Sequence, residues 1–248
     1  MHPSDLKIFR RLAGLVFALA ALAPAGAAQF GVSPLRIDLD RGAKSGAVTV
    51  TNDEQAEPLR VQLRLFEWTQ DEAGKDAYQE NEDLLYFPRL MTLEKAEQKL
   101  VRVGLRAPSP EREKAYRLFI EELPAPPTPG GARVAIAVRF GVPVFVKPAR
   151  EEMRGQIERL RLEKGVLRLG VRNSGNTHFT IESVTASAGP AFSRQVPGWY
   201  LLAGAAREHA LDIPAQVCAD LKQIDVTVKA DTLELKETLG VNAAMCGP

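Results

Sequence analysis

Apolar and polar residues alternate with a period of two through most of the chain beyond residue 28. Val48-Thr49-Val50-Thr51, Val61-Gln62-Leu63-Arg64-Leu65, Val101-Arg102-Val103-Gly104-Leu105 and Tyr116-Arg117-Leu118-Phe119-Ile120 each line up apolar side chains on one side of an extended backbone. Successive side chains of a strand point to opposite faces, so this alternation predicts strands that bury one face only. Asp40-Arg41-Gly42, Asn52-Asp53, Ala73-Gly74 and Pro108-Ser109-Pro110 break the runs at the intervals of sandwich turns. The acidic stretch from Asp71 to Asp83 is the one place in this half where a helical turn or loop is expected. Pro124 to Gly131 is proline-rich and reads as a connector, because proline has no N–H to give to a sheet ladder.

A second alternating series follows Lys147-Pro148. It runs through Leu160 and Leu162, then Leu167, Leu169 and Val171, then Phe179 and Ile181, Leu211 and Ile213, and Val226 and Val228. The chain therefore divides near Pro148 into residues 29–148 and 149–248, each of a size suited to an immunoglobulin-like sandwich. The expected class is all-β, with two immunoglobulin-like β-sandwich domains.

Composition changes this picture little: 45% of the 248 residues are apolar and 25% charged, the make-up of a globular chain. A net charge of +1 without a basic cluster argues against nucleic acid as a partner. The first 28 residues stand apart. Lys7, Arg10 and Arg11 precede an apolar run from Leu12 to Ala23, and Ala25-Gly26-Ala27 follow, which is the order of a secretory signal peptide. The run is short for a membrane span, so the mature protein is expected to have none. Export makes Cys218 and Cys246 candidates for a disulfide, since the compartments reached by secretion are oxidising.

Catalytic chemistry finds no foothold. His178 and His209 belong to no metal or triad spacing, and His178, in the turn-like Asn173-Ser174-Gly175-Asn176-Thr177-His178, reads as a surface residue. No nucleophile elbow, zinc helix or phosphate loop occurs in the sequence. Glu121-Glu122 and Glu151-Glu152 are adjacent, so on strands they face opposite ways and cannot act as an acid/base pair. No catalytic residue, metal site or cofactor is expected. A hydrolase using acids from distant strands is the remaining enzymatic alternative.

Binding is the better prospect. From Ala132 to Val146 the chain reads as one long strand, with Val134, Ile136, Val138 and Phe140 on one face and Arg133 and Arg139 on the other. The apolar row could face its own core. A long apolar strand at a sheet edge is also an aggregation hazard unless a partner covers it, and strand addition by a partner would use its backbone for affinity.

Several segments resemble the periplasmic pilus-assembly chaperones of the chaperone-usher pathway. They are Phe30-Gly31-Val32-Ser33-Pro34-Leu35-Arg36-Ile37, Thr49-Val50-Thr51-Asn52 with Glu57-Pro58-Leu59, Glu97 to Val103, Tyr116 to Pro124, and Arg139 to Phe145, in the family's order. Val171 to Asn176 and Leu201 to Gly204 resemble the second domain less closely. The resemblance implies a boomerang of two immunoglobulin-like domains, located in the periplasm, whose cleft holds a pilin subunit before delivery to an outer-membrane usher. The subunit lacks its last strand, and the chaperone's seventh strand would fill the gap with Val134, Ile136, Val138 and Phe140. Arg36 corresponds to the family's cleft arginine, which receives the subunit's C-terminal carboxylate. The usual partner lysine falls on Pro143, and Arg139, or after it Arg117, is expected to substitute. The family's interdomain ion network falls on Glu122, Lys147 and Asp231. The short loop from Leu123 to Arg133 and the wording Pro143-Val144-Phe145 resemble the archaic branch. An uncovered edge would also let free copies pair. The fold cues without these motifs would equally suit an exported structural or adhesive immunoglobulin-like surface protein.

Overall fold

The computed structural model describes residues 30–53, 57–106, 108–123, 137–231 and 233–247, and the structural statements below concern these residues. The alternating segments of the first half form β1 (Phe30–Ser33), β2 (Ile37–Leu39), β3 (Ser45–Asn52), β4 (Leu59–Gln70), β5 (Asp76–Glu80), β6 (Leu84–Phe87), β7 (Leu90–Leu93), β8 (Gln98–Leu105), β9 (Lys114–Glu122) and β10 (Arg139–Val146). The second half adds β11 (Gly155–Glu163), β12 (Val166–Asn173), β13 (Phe179–Ala188), β14 (Phe192–Pro197), β15 (Tyr200–Leu201), β16 (Ala206–Asp212), β17 (Gln223–Ala230) and β18 (Glu234–Gly240). A one-turn helix, α1 (Ala215–Cys218), and a 3-10 turn (Ala243–Met245) complete the described elements.

In the first domain one sheet has the order β1-β3-β8-β6 and the other β2-β10-β9-β4-β5, with β7 also on β4. The N-terminal segment changes sheets: β1 runs antiparallel to β3, whereas β2 runs parallel to β10. Between the sheets lie Leu39, Val48, Val50, Val61, Leu63, Val101, Val103, Leu118, Ile120 and Val144. Burying an aliphatic side chain of this kind contributes about 1.5–3 kcal/mol, which is why the period-two pattern decides the fold. Turn chemistry fixes the corners. The Asp40 carboxylate accepts the N–H groups of Gly42 and Ala43 at 2.7 and 2.6 Å, and Asp71 accepts those of Ala73 and Lys75, both at 2.9 Å.

The second domain pairs a β11-β12-β16 sheet with a β14-β13-β17-β18 sheet that also carries β15 on β13. Leu167, Leu169, Val171, Phe179, Ile181, Val184, Val226 and Val228 fill it. Cys218 and Cys246 are bonded as a disulfide, with Cα atoms 5.6 Å apart, and fasten α1 to the C-terminal turn.

Two expectations change. The acidic stretch after Asp71 is no helix: Asp76–Glu80 pairs along β4, where Tyr78 lies opposite Trp68. The acids disguise a short strand with a single aromatic residue, Tyr78, at its centre. The strand expected from Ala132 to Val146 begins at Arg139 in the described part. Val134 and Ile136 lie outside the described residues, while Val138 and Phe140 pack against the first core, Phe140 with its ring centroid 5.1 Å from that of Phe30.

The domains meet along one end of the first sandwich. Trp68, Ala115 and Phe145 from the first domain pack with Leu202 of the second, beside Tyr200. The β4–β5 hairpin tip clasps the second domain. Gln70 donates to the Tyr200 carbonyl at 2.8 Å and accepts from the Leu202 N–H at 3.0 Å, and Asp76 accepts the Trp199 indole N–H at 2.9 Å. Gly74 at the tip has φ +77°, and a Cβ there would lie 2.7 Å from the Ala206 carbonyl oxygen, so the close approach needs glycine. The Gly74 carbonyl in turn accepts from Arg207.

Candidate subunit-binding face

The site is the outer face of the β2-β10-β9-β4-β5 sheet. On β9 the even residues Tyr116, Leu118 and Ile120 enter the core, so Ala115, Arg117, Phe119 and Glu121 point outward. On β10 Val142, Val144 and Val146 enter the core, so Arg139, Gly141, Pro143 and Phe145 point outward. Cross-strand register then sets the rows. Gly141 lies opposite Phe119, Pro143 opposite Arg117 and Phe145 opposite Ala115. Phe66 is opposite Arg117 on the other side, and Trp68 opposite Ala115. Because Val144 aligns with Ile37, Arg36 falls in the row of Pro143. Arg36 and Arg117 thus flank the position where the family's lysine would stand, one strand away on either side, or about 5 Å each.

Arg117 is 6% exposed and its guanidinium carbon lies 3.9 Å from the Trp68 ring centroid. Its Nη1 donates to the Gly141 carbonyl at 3.1 Å, but Nε and Nη2 have no hydrogen-bond partner among the described residues. Gly141 permits this: a Cβ there would come within 3.3 Å of the Arg117 Cδ and 3.1 Å of the Phe119 ring. Tyr78 lies beside Phe119, centroids 5.3 Å apart, and burial, with Asp76 adding to it, holds its hydroxyl above the ordinary value against the Arg117 cation, which also hydrogen-bonds it, and against Arg139. A buried guanidinium without a paired carboxylate is costly to the chain and is ready to accept an anion.

The other predicted residues distribute as follows. Arg36 is held by Asp38 through two nitrogens at 2.8–3.0 Å and lies 4.9 Å from the Phe145 centroid. Arg139 is half-exposed, pairs with Glu121 at 2.7 Å and covers Phe119, so its charge is already engaged four residues along the strand from Pro143. No described contact joins Glu122, Lys147 and Asp231 as a trio. Lys147 pairs with Glu151 at 3.3 Å, Glu122 accepts the Val138 N–H at 3.3 Å, and Asp231 accepts the Thr180 N–H at 3.2 Å. The reason is position: Glu122 ends β9 roughly 25 Å from its start, and the second domain meets the start. The acid at that end is Glu113.

His178, expected at the surface, is 4% exposed and belongs to the joint. Its Nδ1 lies 2.6 Å from Glu113 Oε1, its backbone N–H donates to the same oxygen at 2.9 Å, and its ring stacks on Phe145 at 3.6 Å. The neighbouring turn docks too, since Glu113 donates its N–H to the Asn176 carbonyl at 2.9 Å. A sequence turn rich in Asn, Ser and Gly reads as solvated until a second domain covers it.

The edge of β10 completes the face. Val138 directs its carbonyl to the Glu122 N–H at 2.9 Å, whereas Lys147 directs its N–H to Leu39 at 2.8 Å on the other side. By the same alternation the main-chain groups of Arg139, Gly141 and Pro143 point away from β9. There β2 covers only Val144–Val146, so among the described residues the stretch from Arg139 to Pro143 is an open edge. No group of three or more His, Cys, Asp or Glu is placed to hold a metal, and no helix is long and apolar enough to cross a membrane, among the described residues.

Comparison with known proteins agrees with the sheet geometry. A chain of the CsuC–CsuE chaperone–tip adhesion subunit pre-assembly complex, from the archaic chaperone-usher Csu pili of Acinetobacter baumannii, superposes with a TM-score of 0.63 at 21% identity, covering 84% of this chain and 98% of that one. The CupB2 chaperone of Pseudomonas aeruginosa gives 0.54 at 16% identity over 86% and 100% of the two chains, and the E. coli chaperone DraB 0.55 at 17% over 84% and 95%. At these identities the likeness establishes the two-domain immunoglobulin-like fold. No curated protein sequence matches the chain. Residues 29–151 match the PapD N-terminal domain of the pili and flagellar-assembly chaperones. The chain belongs to that family of pilus-assembly chaperones, which are not enzymes.

Proposed function

We propose that the chain is a periplasmic chaperone that holds a fimbrial subunit by lending it a strand and passes it to an outer-membrane usher. The observation that carries this reading is Arg117, a buried cation with no carboxylate paired to it among the described residues, in one row with Arg36 beside the open edge of β10. An extended segment pairing with Arg139 and Gly141 would bring its terminal carboxylate to the two arginines, where charge-assisted hydrogen bonds are strongest. In this reading Arg36 and Arg117 are the anchor, and Arg139 is a flanking charge. Val134 and Ile136, outside the described residues, would supply complementing side chains, with Val138 and Phe140 shared with the chaperone's own core. No nucleotide is required, because the subunit's remaining folding energy is released on exchange. Residues 1–28 would be the signal peptide, with domains at 29–148 and 149–248. The chaperone–subunit complex of the Csu pili supports a subunit as the partner class.

The test is co-expression with a fimbrial subunit from the same cells, followed by recovery from the periplasmic fraction. The wild-type chain should retain the subunit, and Val134→Glu combined with Ile136→Glu should abolish its recovery while the chaperone stays folded by circular dichroism. Undiminished recovery with the double variant would remove strand donation from the account.

A further inference from the structure

Phe145 carries a different neighbour on each side of its role: it belongs to β10 of the first domain, yet its ring is stacked by an imidazole from the second. The His178 and Phe145 planes are 10° apart with centroids 3.6 Å apart, so the imidazole occupies one face of the phenyl ring. The Arg36 guanidinium, 4.9 Å from the same centroid, must therefore use the other face or the rim. His178 is itself fixed. Glu113 Oε1 receives both its backbone N–H and its Nδ1 contact, and the two side chains are 4% and 1% exposed. Tyr200 closes the cluster, its centroid 5.9 Å from both His178 and Phe145.

Resting on the reading of Arg36 as a carboxylate anchor, we propose that His178 is a positioning residue for that anchor: held by Glu113, it fixes the plane of Phe145 and thereby the direction in which Arg36 presents its N–H groups. Arginine on an exposed strand end has several rotamers, and binding must pay to order them. Asp38 restrains the guanidinium from one side through two nitrogens, and the Phe145 ring supplies a flat surface for it. The second domain, which contributes no strand to the open edge, acts on the partner through this stack.

Two measurements on the mature full-length chain test the idea. The first needs no partner. His178→Gln keeps a polar group within reach of Glu113 but removes the aromatic plane, so the Arg36 Nε–H resonance, shifted by the Phe145 ring current, should move while the melting temperature holds. An unmoved resonance would overturn the proposal whatever the function of Arg36. The second uses a synthetic peptide of alternating apolar residues ending in a free carboxylate, against its C-terminal amide. If the wild type prefers the acid and Arg36→Ala abolishes that preference, the anchor reading stands. His178→Gln should then cut the preference by about tenfold, the scale of one charge-assisted hydrogen bond, and should add nothing in the Arg36→Ala background. Additive effects would reduce His178 to a structural residue. A wild type without acid preference would sink the anchor itself, a distinct outcome from failure of the first measurement.

Discussion

The two faces of the β10-β9-β4 layer are made by the same strands and obey opposite rules. The inner face is Leu63, Leu65, Leu118, Ile120, Val142 and Val144, all buried and all aliphatic, and it contributes to stability through area and close packing alone. The outer face is Arg117, Phe119, Phe145, Trp68 and Arg139, where cations lie on aromatic rings and Arg117 keeps Nε and Nη2 without partners. A buried donor left unsatisfied costs about 1–3 kcal/mol, so this face is poorly arranged for the chain's own stability. Where local rules are broken inside an otherwise consistent fold, the surface is organised for something outside it.

That contrast predicts opposite responses to mutation. The largest effect belongs to the inner face. Leu118→Ala, at a fully buried site, should lower the unfolding free energy by about 2–5 kcal/mol, read as a fall in the urea midpoint at constant slope. The free-acid preference of whatever remains folded should be unaltered. A loss under about 1 kcal/mol would mean that the inner face is not the element holding the sheet.

Next comes a buried polar group with no anchor role. His209, on β16 of the second domain, is 9% exposed, its Nε2 has no partner among the described residues, and burial pushes it down to about 4, with Arg207 adding to the effect. The unfolded chain takes up this proton near its ordinary value of 6.5, before the folded chain does. Stability is therefore complete above pH 6.5 and falls as the pH drops toward 4, by up to about 3 kcal/mol. His209→Leu should flatten the unfolding free energy across that window, and a profile with the wild-type slope would show that His209 is not its source.

Arg117 should behave in the opposite sense to Leu118. Arg117→Met removes the unpartnered donors and keeps an apolar stem over Trp68, so stability should hold or rise by about 1–2 kcal/mol. Subunit recovery should nevertheless fall. If stability and recovery fell together, Arg117 would be a structural cation and the two faces would not differ in kind.

How much of this was legible in the sequence follows from the same parity. Alternation in Val61–Leu65 and Tyr116–Ile120 assigns every inner residue and every outer one, because the side-chain period of a strand is fixed by the backbone. It also puts Arg36 and Arg139 on the outer face. It cannot say which outward residues remain outward once a second domain arrives. His178 reads as a surface residue, yet it is buried where the domains meet, as is Arg117. The place of Glu113 in the joint was hidden for the same reason: the sequence lists the acids of β9 and its lead-in without showing which end is covered. Tyr78 was hidden by the acids around it, and the Asn173–Asn176 turn by its ordinary surface composition. Val134 and Ile136, the residues on which strand donation rests, lie outside the described residues.

The smallest expected effect is the most selective. Arg139 and Arg117 share the outer face, and either could stand in for the family's lysine. Arg139 is already paired with Glu121 at 2.7 Å, its side chain is 52% exposed, and it lies four residues from the Pro143 row that contains Arg36 and Arg117. An exposed pair of this kind contributes about 0–1 kcal/mol and weakens with salt. Arg139→Gln should therefore shift the urea midpoint barely at all, and should lower subunit recovery only slightly and only at low ionic strength, through the on-rate. Arg117→Met should lower it at every salt concentration, because a desolvated anchor acts on the off-rate. If Arg139→Gln removes the free-acid preference and Arg117→Met leaves it intact, the anchor lies at the exposed margin of the sheet, and the buried cation on Trp68 is only packing.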